Sequence, residues 1–412
     1  MKKLVLLQSR SSSKRLPFKA LLKIKNLPLV NFIYERIKSK YYKTVVLTSN
    51  DKTDDYLSWL LKENKINYYR GSLNNVKKRF LDYTKKNNDK DIIVRVTADN
   101  IFVDSKIINK SINQLIKRKK DYLYTNPKLT GLPNGISVEV FRLKVLRENK
   151  DQSKLNREHV TNNFEKNLEN IVYYKKLINK WKNVDCTIDY LNQYINLKEA
   201  FKKNKINLFD SWEKVVEKIS HYKKDKYINY KKITLKTLKQ KQINRSIKVK
   251  ICKLKNETWN YGIKSQLDFF DKNSRISDMH NLMFLDDELI GYTALKKNFL
   301  IHKINNKFRK KYTFLHFDSF IIKQKYRGFN YGQILMSYNN NKIINLNLPS
   351  FLICNNQLKS FYSAHLWKLS SKSKYEINKK NTKLNLMLFY PAKNFLDYMK
   401  KPKSKLFINL FR

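Results

Sequence analysis

Glycine, proline and cysteine are all scarce in this chain: seven, seven and three among 412 residues. Cys186, Cys252 and Cys354 stand far apart, with no paired spacing and no histidine beside them. That excludes a disulfide framework and a structural zinc site, and fits free thiols in a reducing compartment. No apolar run is long enough to span a bilayer. The apolar stretch after Met1-Lys2-Lys3 ends at Gln8, too short for a signal-peptide core, so the expected location is cytoplasmic. Acidic residues are also few, 34 against 87 Lys and Arg, for a formal net charge of +53. Such a surplus raises nucleic acid as a partner, because clustered cations release counterions from phosphate backbones. Here the excess is lysine spread along nearly the whole chain, without an aromatic stacking surface. No specific nucleic-acid partner is expected, although weak adhesion to polyanions or anionic membrane surfaces follows from the charge.

The length predicts two or three domains with room for real cores. In the first half, short apolar strands at 4–7, 44–48, 67–69, 92–96, 122–125 and 138–141 alternate with helical patterns. Those patterns, at 29–39, 54–64, 76–87 and 105–118, have apolar residues recurring at three and four. This alternation predicts an α/β domain over 1–220, an αβα sandwich on a mostly parallel sheet, with ligands at the carboxyl ends of the strands. Residues 221–246 are lysine-rich and read as a linker. A second, α+β domain is predicted over 247–395, followed by a basic tail at 396–412. Its strands fall at 248–254, 314–322, 350–354 and 384–390, with a hairpin over 281–297 turning at Asp286-Asp287-Glu288 and a helix at 331–339.

With so few glycines, each one kept answers a backbone need, and Gly71, Gly135, Gly328 and Gly332 fall in candidate site loops. The first strand runs straight into Gln8-Ser9-Arg10-Ser11-Ser12-Ser13-Lys14-Arg15-Leu16-Pro17-Phe18-Lys19. Hydroxyls, amides and cations where a strand gives way to a helix make an anion site, with an ordinary basic turn as the competing reading. Thr48-Ser49-Asn50-Asp51 and Arg70-Gly71-Ser72 close two further strands. In Arg95-Val96-Thr97-Ala98-Asp99-Asn100 an apolar strand delivers an aspartate at its tip, suited to Mg²⁺ held between carboxylate and phosphate oxygens. Capping of the helix that starts near Ser105 is the other role open to Asp99. Asn134-Gly135 then leads to the strand bearing Glu139, Arg157-Glu158-His159-Val160-Thr161 follows, and Asp185-Cys186-Thr187-Ile188-Asp189 offers a second acidic strand end.

In order and spacing these segments resemble the acylneuraminate cytidylyltransferase superfamily, most closely its spore-coat-polysaccharide branch. The opening Gln-x-Arg-x-Ser-Ser-x-Arg-Leu-Pro-x-Lys pattern is matched by Gln8, Arg10, Ser12, Ser13, Arg15, Leu16, Pro17 and Lys19. The resemblance covers about 1–220 and implies transfer of CMP from CTP to a sugar such as a nonulosonic acid, with pyrophosphate leaving. By carry-over, Gln8, Arg10, Ser12, Ser13, Arg15, Lys19, Arg70, Gly71 and Ser72 bind nucleotide, and Asp99 and Asp189 hold Mg²⁺. Arg10, Lys19 and Asp99 serve the chemistry. Asn134, Gly135, Glu139, Arg157 and His159 face the sugar. For Arg157 and His159 a helix-start salt bridge and a buried imidazole stay open as alternatives. Phe18 stands where the pattern has glycine, Ala98-Asp99-Asn100-Ile101 replaces Gly-Asp-Cys-Pro, and the proline after the second aspartate is missing.

In the second half, Lys325-Tyr326-Arg327-Gly328-Phe329-Asn330-Tyr331-Gly332 sits between a strand and a helix. Over about 247–392 this resembles GNAT-type N-acetyltransferases, whose loop binds the pyrophosphate of acetyl-CoA. The resemblance implies CoA contacts at Ile321, Ile322, Arg327, Gly328, Asn330, Gly332, Asn355 and Tyr362. Asn330 replaces the loop's first glycine. Tyr362 is the candidate acid and His316 or Asp318 the candidate base, a packed core aromatic being the alternative for Tyr362. The partners expected are small-molecule nucleotide and sugar substrates, with a homodimer left open. A basic nucleic-acid-binding protein and an inactive scaffold of two decayed enzyme domains are the remaining classes.

Overall fold

The structure, a computed structural model, divides the chain into two compact units, Met1–Tyr230 and Lys231–Arg412. It describes residues 1–125, 127–151, 153–161, 164, 168–170, 181, 184–220, 231–377, 384–389 and 403–409.

In the first unit the strands are β1 (Lys3–Gln8), a short ribbon of β2 (Lys23–Ile24) and β3 (Leu27–Pro28), β4 (Lys43–Ser49), β5 (Tyr68–Gly71) and β6 (Ile92–Thr97). They are followed by β7 (Tyr122–Tyr124), β8 (Glu139–Arg142) and β9 (Leu168–Asn170). The main sheet runs β5-β4-β1-β6-β8-β7-β9. β1 lies parallel to β4 and β6, β4 is parallel to β5, and β8 alone turns antiparallel to both its neighbours. Continuous apolar runs explain the centre: Leu4 to Leu7, Val45 to Leu47 and Ile92 to Val94 are buried on both faces, as parallel strands under helices must be.

Helices Leu29–Ile37, Asp55–Glu63, Val76–Tyr83 and Ser105–Lys117 follow the predicted periods to within a turn. Gln8, Ser49, Gly71 and Thr97 all end parallel strands at one edge of the sheet, and the polar loops gather there. One buried carboxylate ties two of these loops together. Asp54 accepts hydrogen bonds from Ser11 N (2.6 Å), Thr48 Oγ1 (3.0 Å), Ser49 N (3.0 Å) and the Ser49 hydroxyl. The first residues of the 8–19 loop are thereby fixed against the end of β4.

The second unit holds β10 (Ile233–Lys239), β11 (Met279–Leu285), β12 (Glu288–Ile304), β13 (Lys307–Ile322), β14 (Ser350–Cys354), β15 (Lys368–Leu369), β16 (Tyr375–Ile377), β17 (Asn385–Phe389) and β18 (Ser404–Ile408). Its sheet runs β10-β11-β12-β13-β14-β17-β15, with β18 pairing β12 and β16. β13 and β14 are parallel through two residue pairs, Leu315 with Ser350 and His316 with Phe351. Beyond these, the described carboxyl ends of the two strands are not paired to each other.

Three expectations are corrected here. Of the linker expected at 221–246, residues 221–230 lie outside the described residues, and the rest enters the second unit as edge strand β10 and the start of a helix. The strand expected at 248–254 is the helix Arg245–Asn256, capped by the Asn244 side chain accepting from Ile247 N at 2.9 Å. The expected tail is not a separate appendage: Ser404–Ile408 pairs with β12 and β16, while 396–402 and 410–412 lie outside the described residues. Among the described residues no helix is long and apolar enough to cross a membrane.

Candidate active site

At the carboxyl edge of the first sheet lies a cavity of about 1070 Å³. Gln8 lines it from the end of β1, Arg10, Ser13, Arg15 and Lys19 from the loop that follows, Asp99 from just after β6, and Asn134, Glu139, His159 and Asp189 from later in the chain. Its centre is an ammonium group. Lys19 Nζ donates to Ile188 O at 2.8 Å and to Asp189 Oδ1 at 3.3 Å, and lies 3.9 Å from Asp99 Oδ2. Arg15 reinforces Asp189 at 2.7 Å and lies over the Tyr190 ring, 5.4 Å from its centroid. Arg10 pairs with Glu158 at 3.1 Å. Thus Arg10, Arg15 and Lys19, three of the cations expected to bind nucleotide, each already meet a carboxylate.

Asp99 does not cap the helix after it, because Asp104 takes that role, accepting from Lys106 N and Ile107 N at 3.1 and 3.0 Å. Asp99 Oδ1 is sealed from solvent without a hydrogen-bond partner, while a third of the side chain stays exposed. Burial works against its charge, yet the Lys19 ammonium, then a hydrogen bond from Thr97 and one from the backbone, and last the Arg95 guanidinium, hold its pKa below the ordinary aspartate range. An orphaned carboxylate oxygen beside a second carboxylate on the same ammonium fits a divalent cation. Mg²⁺ is commonly held by one or two carboxylates together with substrate phosphates.

The segment 185–189 is not a regular strand. It is clamped by isolated bridges, Asn134 to Asp185 and Asn100 to Thr187. Gly135 permits the clamp: its φ is +88°, and a Cβ there would lie 2.8 Å from the Cys186 carbonyl carbon and 2.9 Å from Thr187 N. Ser12, Arg70, Gly71, Ser72, Gly135 and Arg157 do not line the cavity. Arg70 instead binds Ser49 O, Asp51 O and Asp55 Oδ1 at 2.7 to 2.9 Å. Ser72 O anchors the fully buried Arg79, whose Cγ would meet a Cβ on Gly71 at 2.7 Å. His159 and Arg157 are exposed on the helix Lys154–His159, so the buried imidazole does not apply, and Arg157 lies in the last turn of that helix.

The cavity also holds residues to which the motifs assigned no role. Arg95 is 9% exposed and bridges Glu139 Oε2 at 2.6 Å and Gln8 Oε1 at 3.1 Å. A charged residue inside an apolar strand was its signal, since such a charge needs a buried partner. Asp185 accepts from Asn134 Nδ2 (3.0 Å) and Thr187 Oγ1 (2.7 Å), and Gln193 Oε1 accepts from Asp189 N at 2.7 Å.

In the second unit, Ile321 and Ile322 are buried at the end of β13, and the Ile322 carbonyl accepts from Arg327 Nε at 2.9 Å. The loop then turns through Gly328 (φ 85°) and Asn330 (φ 64°) into the helix Tyr331–Leu346. Around Gly332 a Cβ would make only ordinary contacts. Asn355 is exposed and caps the next turn, its side chain accepting from Leu358 N. Tyr362 is 6% exposed among Phe317, Phe320, Phe361 and Trp367, and burial raises its pKa above the usual phenol value. Asp318 is paired with Lys296 at 2.7 Å; burial opposes its charge, but that ammonium and His316 hold its pKa far below the usual range. A carboxylate so held is a poor proton acceptor.

The model of the cytidylyltransferase family matches residues 4–243. The chain belongs to this family. A cytidylyltransferase from Leptospira borgpetersenii serovar Hardjo-bovis is 28% identical, with a TM-score of 0.50, over 55% of this chain and 99% of its own. An uncharacterized protein of Methanocaldococcus jannaschii is 34% identical over 39% of this chain and 66% of its own length. The spore coat polysaccharide biosynthesis protein SpsF of Bacillus subtilis is 30% identical over 35% of this chain and 60% of its own. The chain therefore spans less than two thirds of either curated relative.

In this member of the family the oddest residue is Phe18, which takes the left-handed backbone (φ 58°, ψ 22°) natural to the glycine of the motif it resembles. Its N–H donates to Ser11 O at 2.8 Å and its ring is 5% exposed. Losing a buried ring costs roughly 3 kcal/mol or more, against about 1 kcal/mol of backbone strain relieved by glycine. Phe18→Gly is therefore destabilising, and Phe18→Ala is worse by about 1 kcal/mol because alanine keeps the strain. Chemical unfolding of both variants checks the order; alanine equal to or better than glycine contradicts it.

Proposed function

We propose that the first unit transfers CMP from CTP to a sugar, its hydroxyl attacking the α-phosphorus while pyrophosphate leaves. The observation that carries this reading is the Lys19 ammonium held between Asp99 and Asp189 beside Arg15. In such a displacement the protein contributes position and charge. Lys19, Arg15 and Arg10 exchange their carboxylates for phosphate oxygens, neutralising the charge that builds on the leaving pyrophosphate. Asp99 and Asp189, released by that exchange, would hold Mg²⁺, which supplies Lewis-acid polarisation of the phosphates when bound. Asn134, Glu139 and His159 line the same cavity as the loop's cations and, in this reading, take the sugar. The acceptor class we assign is a nonulosonic acid of the sialic, legionaminic or pseudaminic kind, on the order and spacing of the motifs. A different sugar or a sugar phosphate would use the same node.

The test is incubation of the full chain with CTP, Mg²⁺ and a panel of nonulosonic acids and sugar phosphates, with mass detection of the CMP-sugar. Asp99→Asn lowers pyrophosphate release by at least about 100-fold with an unchanged far-UV circular dichroism spectrum. Undiminished turnover removes Asp99 from the mechanism.

For the second unit we infer acetyl-CoA-dependent N-acetylation of an amino sugar. The support is a loop whose backbone is opened by Gly328 and Asn330 at the start of a 16-residue helix, the kind of place whose free amides suit an anion. In this reading Tyr362, kept protonated by burial, gives its proton to the departing thiolate. Tyr362→Phe is expected to lower acetyl transfer by about 100-fold while CoA affinity, read by calorimetry, holds. Equal rates, or no affinity for CoA in the parent protein, overturn this assignment.

A further inference from the structure

One surface of the second unit is used by neither enzymatic reading. β12 and β13 form a long hairpin closed by Asn305 and Asn306, both with left-handed backbone (φ 50° and 61°), the geometry of a tight two-residue turn. Between residues 289 and 317 the sequence has seven Lys and Arg and no Asp or Glu. Register places Phe299 opposite Thr313, Ile301 between Lys311 of β13 and Phe407 of β18, and Lys303 opposite Lys405. Directly opposed residues share a face, so these side chains form one basic and apolar patch. The other face, with Leu300 and Leu406, is closed by the core around Tyr375 and Ile377. The patch itself is open: Phe299 is 48% and Ile301 37% exposed.

We propose that this sheet face docks on an anionic phospholipid surface. Lysines close to such a surface are attracted to its headgroups, and apolar side chains between them enter the headgroup boundary. A second copy of the chain fits poorly, because like charges would meet across the interface. Single-stranded nucleic acid stacks its bases on open aromatic faces. Here an ammonium already stands over each ring, Lys311 Nζ 4.2 Å from the Phe299 centroid and Lys303 Nζ 4.5 Å from that of Phe407, where a base would have to stack. Glu376, the carboxylate beside Phe407, is already paired with Lys405. The proposal stands whether or not either enzymatic assignment holds.

Vesicle sedimentation of the full chain tests it, with phosphatidylcholine alone and with phosphatidylglycerol added. Binding is expected to the anionic vesicles only. Lys303→Glu with Lys311→Glu lowers the partition by at least about tenfold, and Phe299→Ser weakens it further. Lys85→Glu with Lys86→Glu, an equal charge change on exposed residues of the first unit, leaves it nearly unaltered. Circular dichroism confirms that the variants are folded. Equal loss in the two lysine pairs overturns the proposal in favour of diffuse charge. Absence of binding, or displacement of the protein from vesicles by single-stranded RNA that Lys303→Glu with Lys311→Glu no longer binds, overturns it as well.

Discussion

An ammonium group shared by two carboxylates and a carbonyl joins the parts of the first unit that matter for its chemistry. Lys19 comes from the loop after β1, Asp99 from the tip of β6, and Ile188 with Asp189 from a segment about 170 residues further on. Lys19 and Asp189 are mostly buried, with side chains 14% and 21% exposed, so their attraction is screened less than that of a surface pair. Removing one partner would leave charge stranded in a poorly solvated place. Arg10 with Glu158 is the opposite case, largely exposed and worth little to stability. The arrangement keeps cations and carboxylates neutralised by one another until a stronger anion arrives.

That self-neutralisation gives meaning to the scarcity of acid in the sequence. Asp99, Glu139, Glu158, Asp185 and Asp189 all line one cavity, although the chain carries only 34 carboxylates against 87 cations. A cavity left to the average composition would be strongly positive. It would bind triphosphate but offer nothing to a divalent cation. The backbone is adapted to the same end: Gly135 lets residues 134 and 186 approach, Asp54 pins the start of the loop, and Phe18 bends it at the cost of a left-handed φ.

Much of the first unit was legible because its strands are continuous apolar runs and its motifs sit where those runs end. Asp99 was read from such an end and lines the cavity, whereas Asp189 was read from a second strand end that is in fact an irregular segment held by isolated bridges. Arg70, Gly71 and Ser72 were assigned to nucleotide, yet they appear as scaffold, since a short motif does not say which way its side chains turn. The second unit was less legible. Ile247, Val249 and Ile251 alternate like a strand, whereas Ile247, Ile251 and Leu254 keep a helical period, and the Asn244 cap decides between them. β10 was hidden for another reason: of its seven residues only Ile233 is fully buried, so an edge strand looked like a lysine-rich linker. The hairpin turn at Asp286 and Asp287 was readable because turn residues separated two apolar runs.

If Lys19 masks the two carboxylates, its removal should unmask them. The direct measurement is the affinity of the full, nucleotide-free chain for Mn²⁺, read by electron paramagnetic resonance, in the parent protein and in Lys19→Met. Removing an ammonium within 4 Å of both carboxylates is expected to tighten Mn²⁺ binding by at least about tenfold, and adding Asp189→Asn to that variant should cancel the gain. Equal or weaker Mn²⁺ binding by Lys19→Met would contradict the account.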